Sequence, residues 1–94
     1  MPIFILLSTL TQQGVQTLKS NPERLRQVNE DMEELGGKLL HQWATLGEFD
    51  FVNIVEAPDI ATIARISVAL AARGSIRTET LPALEIEEFL ATLD

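Results

Sequence analysis

The chain has no cysteine. That excludes disulfides, thiolate metal sites and thiol catalysis, and it fits a cytosolic protein. Basic residues are scarce: 7 against 14 acidic, a formal charge of −7 with the single histidine neutral. A nucleic-acid-binding surface needs clustered Lys and Arg, so no nucleic-acid partner is expected. One histidine among scattered carboxylates gives no recognisable ligand spacing, so no metal site is expected either. Long apolar runs are missing too. Residues 3–7 form a run of about five, shorter than the roughly 7–15 of a signal-peptide core, and no basic stretch precedes it, so no export signal is read. Nothing approaches the ~18–20 apolar residues of a membrane-spanning helix, and no membrane partner is expected. No glycine-rich phosphate loop, serine elbow or triad spacing occurs, and no cofactor is implied.

What is present is ordinary globular composition, 46% hydrophobic and 22% charged in 94 residues, read as a single domain over residues 1–94. Alone, a chain of this size buries only roughly 60–70% of its surface, so a homo-oligomer sharing a core is expected. The charge is uneven: residues 1–47 hold 4 basic and 5 acidic groups, residues 48–94 hold 3 and 9. Such asymmetry reads as a solvated acidic face.

Ile3-Phe4-Ile5-Leu6-Leu7-Ser8-Thr9-Leu10 is a continuous, branched, apolar run, which predicts a central strand buried on both faces. Thr11 caps a short helix containing Val15 and Leu18. Asn21-Pro22 restarts it, with Asn21 as N-cap. Leu25, Val28, Met32 and Leu35 then mark one buried helical face, ended by Gly36-Gly37. Residues 38–46 and 49–57 read as two strands joined by a two-residue turn at Gly47-Glu48. Asp59 caps the next helix, with Ile60, Ile63, Ser67 and Leu70 on its buried face, and Arg73-Gly74 ends it. Residues 75–81 form a fourth strand that Pro82 stops. Residues 85–93 form a short acidic C-terminal helix with Ile86, Phe89, Leu90 and Leu93 on its apolar side.

The order βαββαβ plus a tail predicts an α+β, ferredoxin-like fold: a four-stranded antiparallel sheet with two helices on one face. The other face is left bare. The two-residue turn pairs Leu46 with Phe49, Trp43 with Val52 and His41 with Ile54. One hairpin face then carries Leu39, His41, Trp43 and Thr45 beside Asp50, Val52, Ile54 and Glu56. The other carries Leu40, Gln42, Ala44 and Leu46 beside Phe49, Phe51, Asn53 and Val55. Neither alternates toward a polar solvent face, so both expect burial, and homodimerisation through the bare face follows. Which set faces the helices is open, and a bulge would shift the pairing.

Leu46-Gly47-Glu48-Phe49-Asp50-Phe51-Val52 followed by Glu56-Ala57-Pro58-Asp59 resembles the GYD-domain family, named for a glycine–tyrosine–aspartate signature. Arg73-Gly74-Ser75-Ile76-Arg77-Thr78-Glu79-Thr80-Leu81-Pro82 and Asn21-Pro22-Glu23-Arg24 are similar to the same family, and the resemblance covers nearly the whole chain. The chain departs at the signature, with Glu48 inserted and Phe49 where tyrosine is usual. The resemblance implies a ferredoxin-like dimeric α/β barrel in the bacterial or archaeal cytoplasm and no established activity. The turn and the Gly-x-Ile-x-Thr-x-Thr strand are also similar to the ligand-binding half of leucine-responsive-type transcription regulators. There the domain is an oligomeric small-molecule sensor; no helix-turn-helix precedes it here.

Six residues are candidate ligand contacts. His41 lies diagonal to Glu56, a spacing that suits a general base with its orienter, against a half-buried histidine making one structural hydrogen bond. Asp50 offers a carboxylate to a ligand, or accepts backbone N–H bonds that fix the hairpin. Asn53 lines a pocket or pairs with Gln42 opposite. Trp43 stacks on a ligand or anchors an interface. Arg77, beside Glu79, is a surface charge or an anion contact if that face meets a partner. The reading is a homodimeric small-molecule-binding or sensing module without catalytic residues. The alternatives are an enzyme of the monooxygenase or isomerase type, or a non-catalytic interaction scaffold associating through its acidic tail helix.

Overall fold

The computed structural model describes all 94 residues. The elements run β1 (Ile3–Leu10), α1 (Gln12–Ser20), α2 (Arg24–Glu34), β2 (Lys38–Ala44), β3 (Phe51–Glu56), α3 (Ile60–Ala71), β4 (Ile76–Ala83) and α4 (Ile86–Ala91). The four strands form one antiparallel sheet in the order β2-β3-β1-β4, consistent with a ferredoxin-like fold. No helix is long and apolar enough to cross a membrane.

β1 is central, as its composition predicts, with Ile3 opposite Glu56 of β3 and Ala83 of β4. Its alternate residues Phe4, Leu6 and Ser8 are buried, while Ile3, Ile5 and Leu7 between them are only half-buried. The helices therefore cover one face. Phe4 and Leu6 join Met32, Val55, Ala57, Ile63, Ile66 and Leu70 in the core, with Val28, Leu35 and Leu39 packed on its margin.

Local chemistry sets most boundaries. Thr11 caps α1, accepting from the Gly14 amide, and Asp59 caps α3, accepting from the Thr62 amide (2.8 Å) and hydroxyl (2.7 Å). α2 closes with the Gly36 amide donating to the Glu33 carbonyl and the Gly37 amide to the Met32 carbonyl. That pair of bonds needs a left-handed residue after the cap, and Gly36 supplies it at φ +105°.

Five expectations need correction. The first crossover is two helices, α1 and α2, so three helices rather than two cover the sheet. Asn21 does not cap α2. Its backbone closes α1 by donating to the Thr17 carbonyl, and the helix restarts only after a turn at Pro22 and Glu23. On α3 the buried face is Ile63, Ile66 and Leu70, and Ile60 is 69% exposed in the first turn. Pro82 does not stop β4, which runs through it to Ala83. β4 is an edge strand, where a missing N–H is tolerated. The hairpin strands are also shorter than expected. The Thr45 amide donates to the Asp50 carbonyl (2.8 Å), leaving 46–49 as the loop, and Leu46 is fully exposed rather than paired with Phe49.

Gly14 is required for space. The Ser75 carbonyl, which accepts from the Thr11 amide (3.0 Å), would lie 2.0 Å from a Cβ at position 14. Glycine to alanine in an exposed helix interior normally stabilises by about 1 kcal/mol. Here the sign inverts: Gly14→Ala is expected to destabilise by roughly 1–3 kcal/mol in urea unfolding. The cap of α3 adds a pH dependence. The bonds from Thr62, and more weakly the Arg65 charge, hold the Asp59 carboxyl below its ordinary 3.8. Its contribution is therefore complete above that value and lost as pH falls through the lowered folded-state value. Thermal melts should show Asp59→Asn less stable than the parent at pH 7, with the difference closing in strong acid.

Candidate functional site

The β2–β3 hairpin decides which residues reach which side. His41 pairs with Ile54, Gln42 with Asn53, Trp43 with Val52 and Ala44 with Phe51, the register expected from the turn. A bulge between Leu39 and His41 then shifts the ladder by one residue, so that Leu39 opposes Val55 and Lys38 opposes Glu56. The bulge carries Leu39 to the core, correcting its expected place beside His41 and Trp43.

The open face is apolar at its centre. Across the strands run Ile54, Ile5 and Leu81 in one row and Val52, Leu7 and Glu79 in the next, flanked on β2 by His41 and Trp43. The His41 and Trp43 rings stack, centroids 5.3 Å apart and 11° from parallel, and Trp43 is 52% exposed. Arg77 is exposed on the same face of β4, opposite Thr9. Glu56 faces Lys38 across the ladder, and the imidazole of His41 meets an indole rather than a carboxylate.

The covered face holds a polar strip. Asn29 and Gln42 exchange amide bonds (2.9 and 3.2 Å), and Gln42 Nε2 donates to Asn53 Oδ1 (2.8 Å). Asn53 in turn donates to the Leu6 carbonyl (3.1 Å) and, at 3.4 Å, to the Ser8 hydroxyl. Asn53 thus both pairs with Gln42 and lines a cleft between α1, α2 and the sheet, with a cavity of about 70 Å³. Buried amides cost stability unless paired, and this chain of bonds pairs them.

The six candidates therefore do not converge. His41, Trp43, Glu56 and Arg77 belong to the open face, Asn53 to the cleft. Asp50 works in a joint: its Oδ2 accepts from the Leu10 amide (2.8 Å) and its own amide donates to the Ser8 carbonyl (2.9 Å), tying the hairpin to the end of β1. No three His, Cys, Asp or Glu side chains gather where a metal could bind. The cleft's other polar members, Ser8, Asn29, Arg24 and Arg73 among them, are not among the candidates. A signal for two of them exists in the pattern. Asn29 interrupts the Leu25–Met32 stripe at a half-buried helical position, and Ser8 continues the Phe4–Leu6 alternation.

Beyond β4 the chain leaves the body. Every residue from 84 to 94 is exposed, including Ile86, Phe89, Leu90 and Leu93 of α4. The long axis reaches 52 Å and the radius of gyration 14.2 Å, against roughly 12 Å for a compact domain of this length.

The family model of the GYD domain matches residues 4–93. A Thermus thermophilus protein named "Glutamine synthetase and cystathionine beta-lyase binding protein" is 50% identical over 94 residues, covering 99% of each chain. The crystal structure of TTHA0845, also from Thermus thermophilus, aligns with a TM-score of 0.60 over 90% of this chain and 95% of that one. At 20% identity it shows the fold alone.

Removing the Asp50 carboxylate should act on stability first. Asp50→Ala leaves the Leu10 N–H without its acceptor and is expected to cost roughly 1–3 kcal/mol in denaturant unfolding.

Proposed function

This chain belongs to the GYD-domain family, and from that premise we propose that it is a homodimeric, non-catalytic protein-binding module of the cytoplasm. Its partners are metabolic enzymes such as glutamine synthetase and cystathionine beta-lyase. The observation that carries the reading is the 50% identity, end to end, with a binding protein for those two enzymes.

Two surfaces support it. The open sheet face offers Ile5, Leu7, Val52, Ile54 and Trp43 as one apolar patch, which a second copy covers symmetrically to make a dimeric α/β barrel. α4 projects an apolar stripe beside Glu85, Glu87 and Glu88, a short amphipathic helix suited to a groove on a partner. An enzyme of the monooxygenase or isomerase type needs His41, Trp43 and Asn53 in one cavity, and they lie on opposite faces of the sheet. A second reading, small-molecule binding or sensing, is favoured by the cleft beneath α1 and α2.

Sedimentation at micromolar concentration should give about twice the 10.4 kDa chain mass, and Ile54→Arg should give the monomer with its fold intact by circular dichroism. Immobilised protein should capture purified glutamine synthetase and cystathionine beta-lyase. Removal of residues 85–94 should abolish capture without dissociating the dimer. A monomeric parent would sink the shared-face argument, and failure to capture either enzyme would sink the partner assignment.

A further inference from the structure

The cleft between the helices and the sheet carries an inference independent of the protein-binding role. Its lining has a charge bias opposite to that of the molecule. The chain has 14 carboxylates and 7 Lys and Arg, yet no carboxylate lines the cleft while Arg24 and Arg73 both do. Nine of its eighteen lining residues are hydrophobic, among them Leu25, Val28 and Phe51.

Donor capacity is left over inside. Arg73 Nη1 is ion-paired with Asp31 Oδ2 at 2.8 Å, and no side-chain hydrogen bond engages the rest of its guanidinium. Ser8 accepts weakly from Asn53, so its own O–H is free to donate. Asn29 uses one of its two amide hydrogens on Gln42, leaving the other. Unused donors, two cations and apolar walls select an anionic acceptor head on a hydrocarbon body. At roughly 10–15 Å³ per water-sized atom, a cavity of about 70 Å³ takes about five to seven non-hydrogen atoms.

We propose that this cleft binds a small monocarboxylate with an apolar body of two to four carbons. The carboxylate accepts from Arg73 and Ser8, and the hydrocarbon lies against Leu25, Val28 and Phe51. A phosphate is excluded because it has no hydrocarbon body to fill the space against Leu25, Val28 and Phe51. A primary ammonium is excluded by the arginines.

The test uses the full 94-residue chain, labelled for amide and methyl NMR and titrated with sodium isovalerate. Sodium phosphate and 3-methylbutan-1-ol, at matched ionic strength, are the comparators. The expected result is saturable shifts at Ser8, Leu25, Val28 and Asn29, with at least tenfold weaker binding of both comparators. Arg73→Met should weaken isovalerate at least tenfold. Val28→Phe, which fills the cavity, should abolish the shifts while the spectrum stays folded. If Arg73→Met does not fold, Arg24→Gln and Val28→Phe carry the test. No saturable shift with isovalerate overturns the proposal. So does equal affinity for the alcohol or for phosphate, or shifts centred on His41 and Trp43. Enzyme capture is not a readout here, so this inference and the partner assignment fail separately.

Discussion

Because β1 is hydrogen-bonded to β3 on one side and β4 on the other, its alternation assigns a side to the residues paired with it. Phe4, Leu6 and Ser8 look toward the helices, and with them go Val55, Asn53 and Phe51. Ile3, Ile5 and Leu7 look the other way, and with them go Glu56, Ile54 and Val52. Both series are largely apolar, which is why β1 reads as a strand that expects cover twice. Three helices supply one layer, and the rest of the chain supplies none, since the tail leaves the body instead of folding back. The apolar open face is thus a consequence of the pairing order together with the tail's course away from the sheet.

How much of this is legible in the sequence depends on whether the deciding interaction is local. The caps at Thr11 and Asp59, the stop at Gly36 and the stripe Leu25–Val28–Met32 depend on residues within a turn or two, and each appears where its chemistry places it. The pairing of His41 with Ile54 follows from the Gly47-Glu48 turn although the loop itself is longer, because opening the loop symmetrically preserves the register. The bulge before His41 has no such local signature. It serves the packing of Leu39 against a core built partly by β1 and α3, elements distant from it in sequence. Asn21 misleads for a related reason: an asparagine beside proline fits an N-cap, but here its backbone already closes the preceding helix.

The candidate site shows the same division. Asn53 is recognisable as a polar residue in a buried strand, and Gln42 as its cross-strand neighbour. The other members of the cleft come from β1, α1, α2, β3, the end of α3 and the start of β4, and only the tertiary fold brings them together. Arg73 is a good case. In sequence it is a cation suited to a helix C-terminus, and it does sit just past α3, yet its guanidinium pairs with Asp31 of α2 and the residue lines the cleft. Since strands alternate, Gln42 lies between His41 and Trp43, and Asn53 between Val52 and Ile54. The same two strands therefore build a polar floor on one side and an apolar patch on the other, which explains why six candidates chosen along the hairpin divide between surfaces.

Charge distribution bears on which surface can meet a second copy. A body with a net charge of −7 repels its own kind, and the repulsion is greatest where the acids gather. They gather on α2, with Glu30, Asp31, Glu33 and Glu34, and on the tail, with Glu85, Glu87, Glu88 and Asp94. The open sheet face carries Lys38 and Arg77 against Glu56 and Glu79, a balanced set around an uncharged centre. Two copies meeting through that face bring together the neutral part of an acidic molecule and leave both acidic regions in solvent, where salt screens them over a Debye length of about 8 Å. The same distribution keeps the tail helix of one copy from settling against α2 of another.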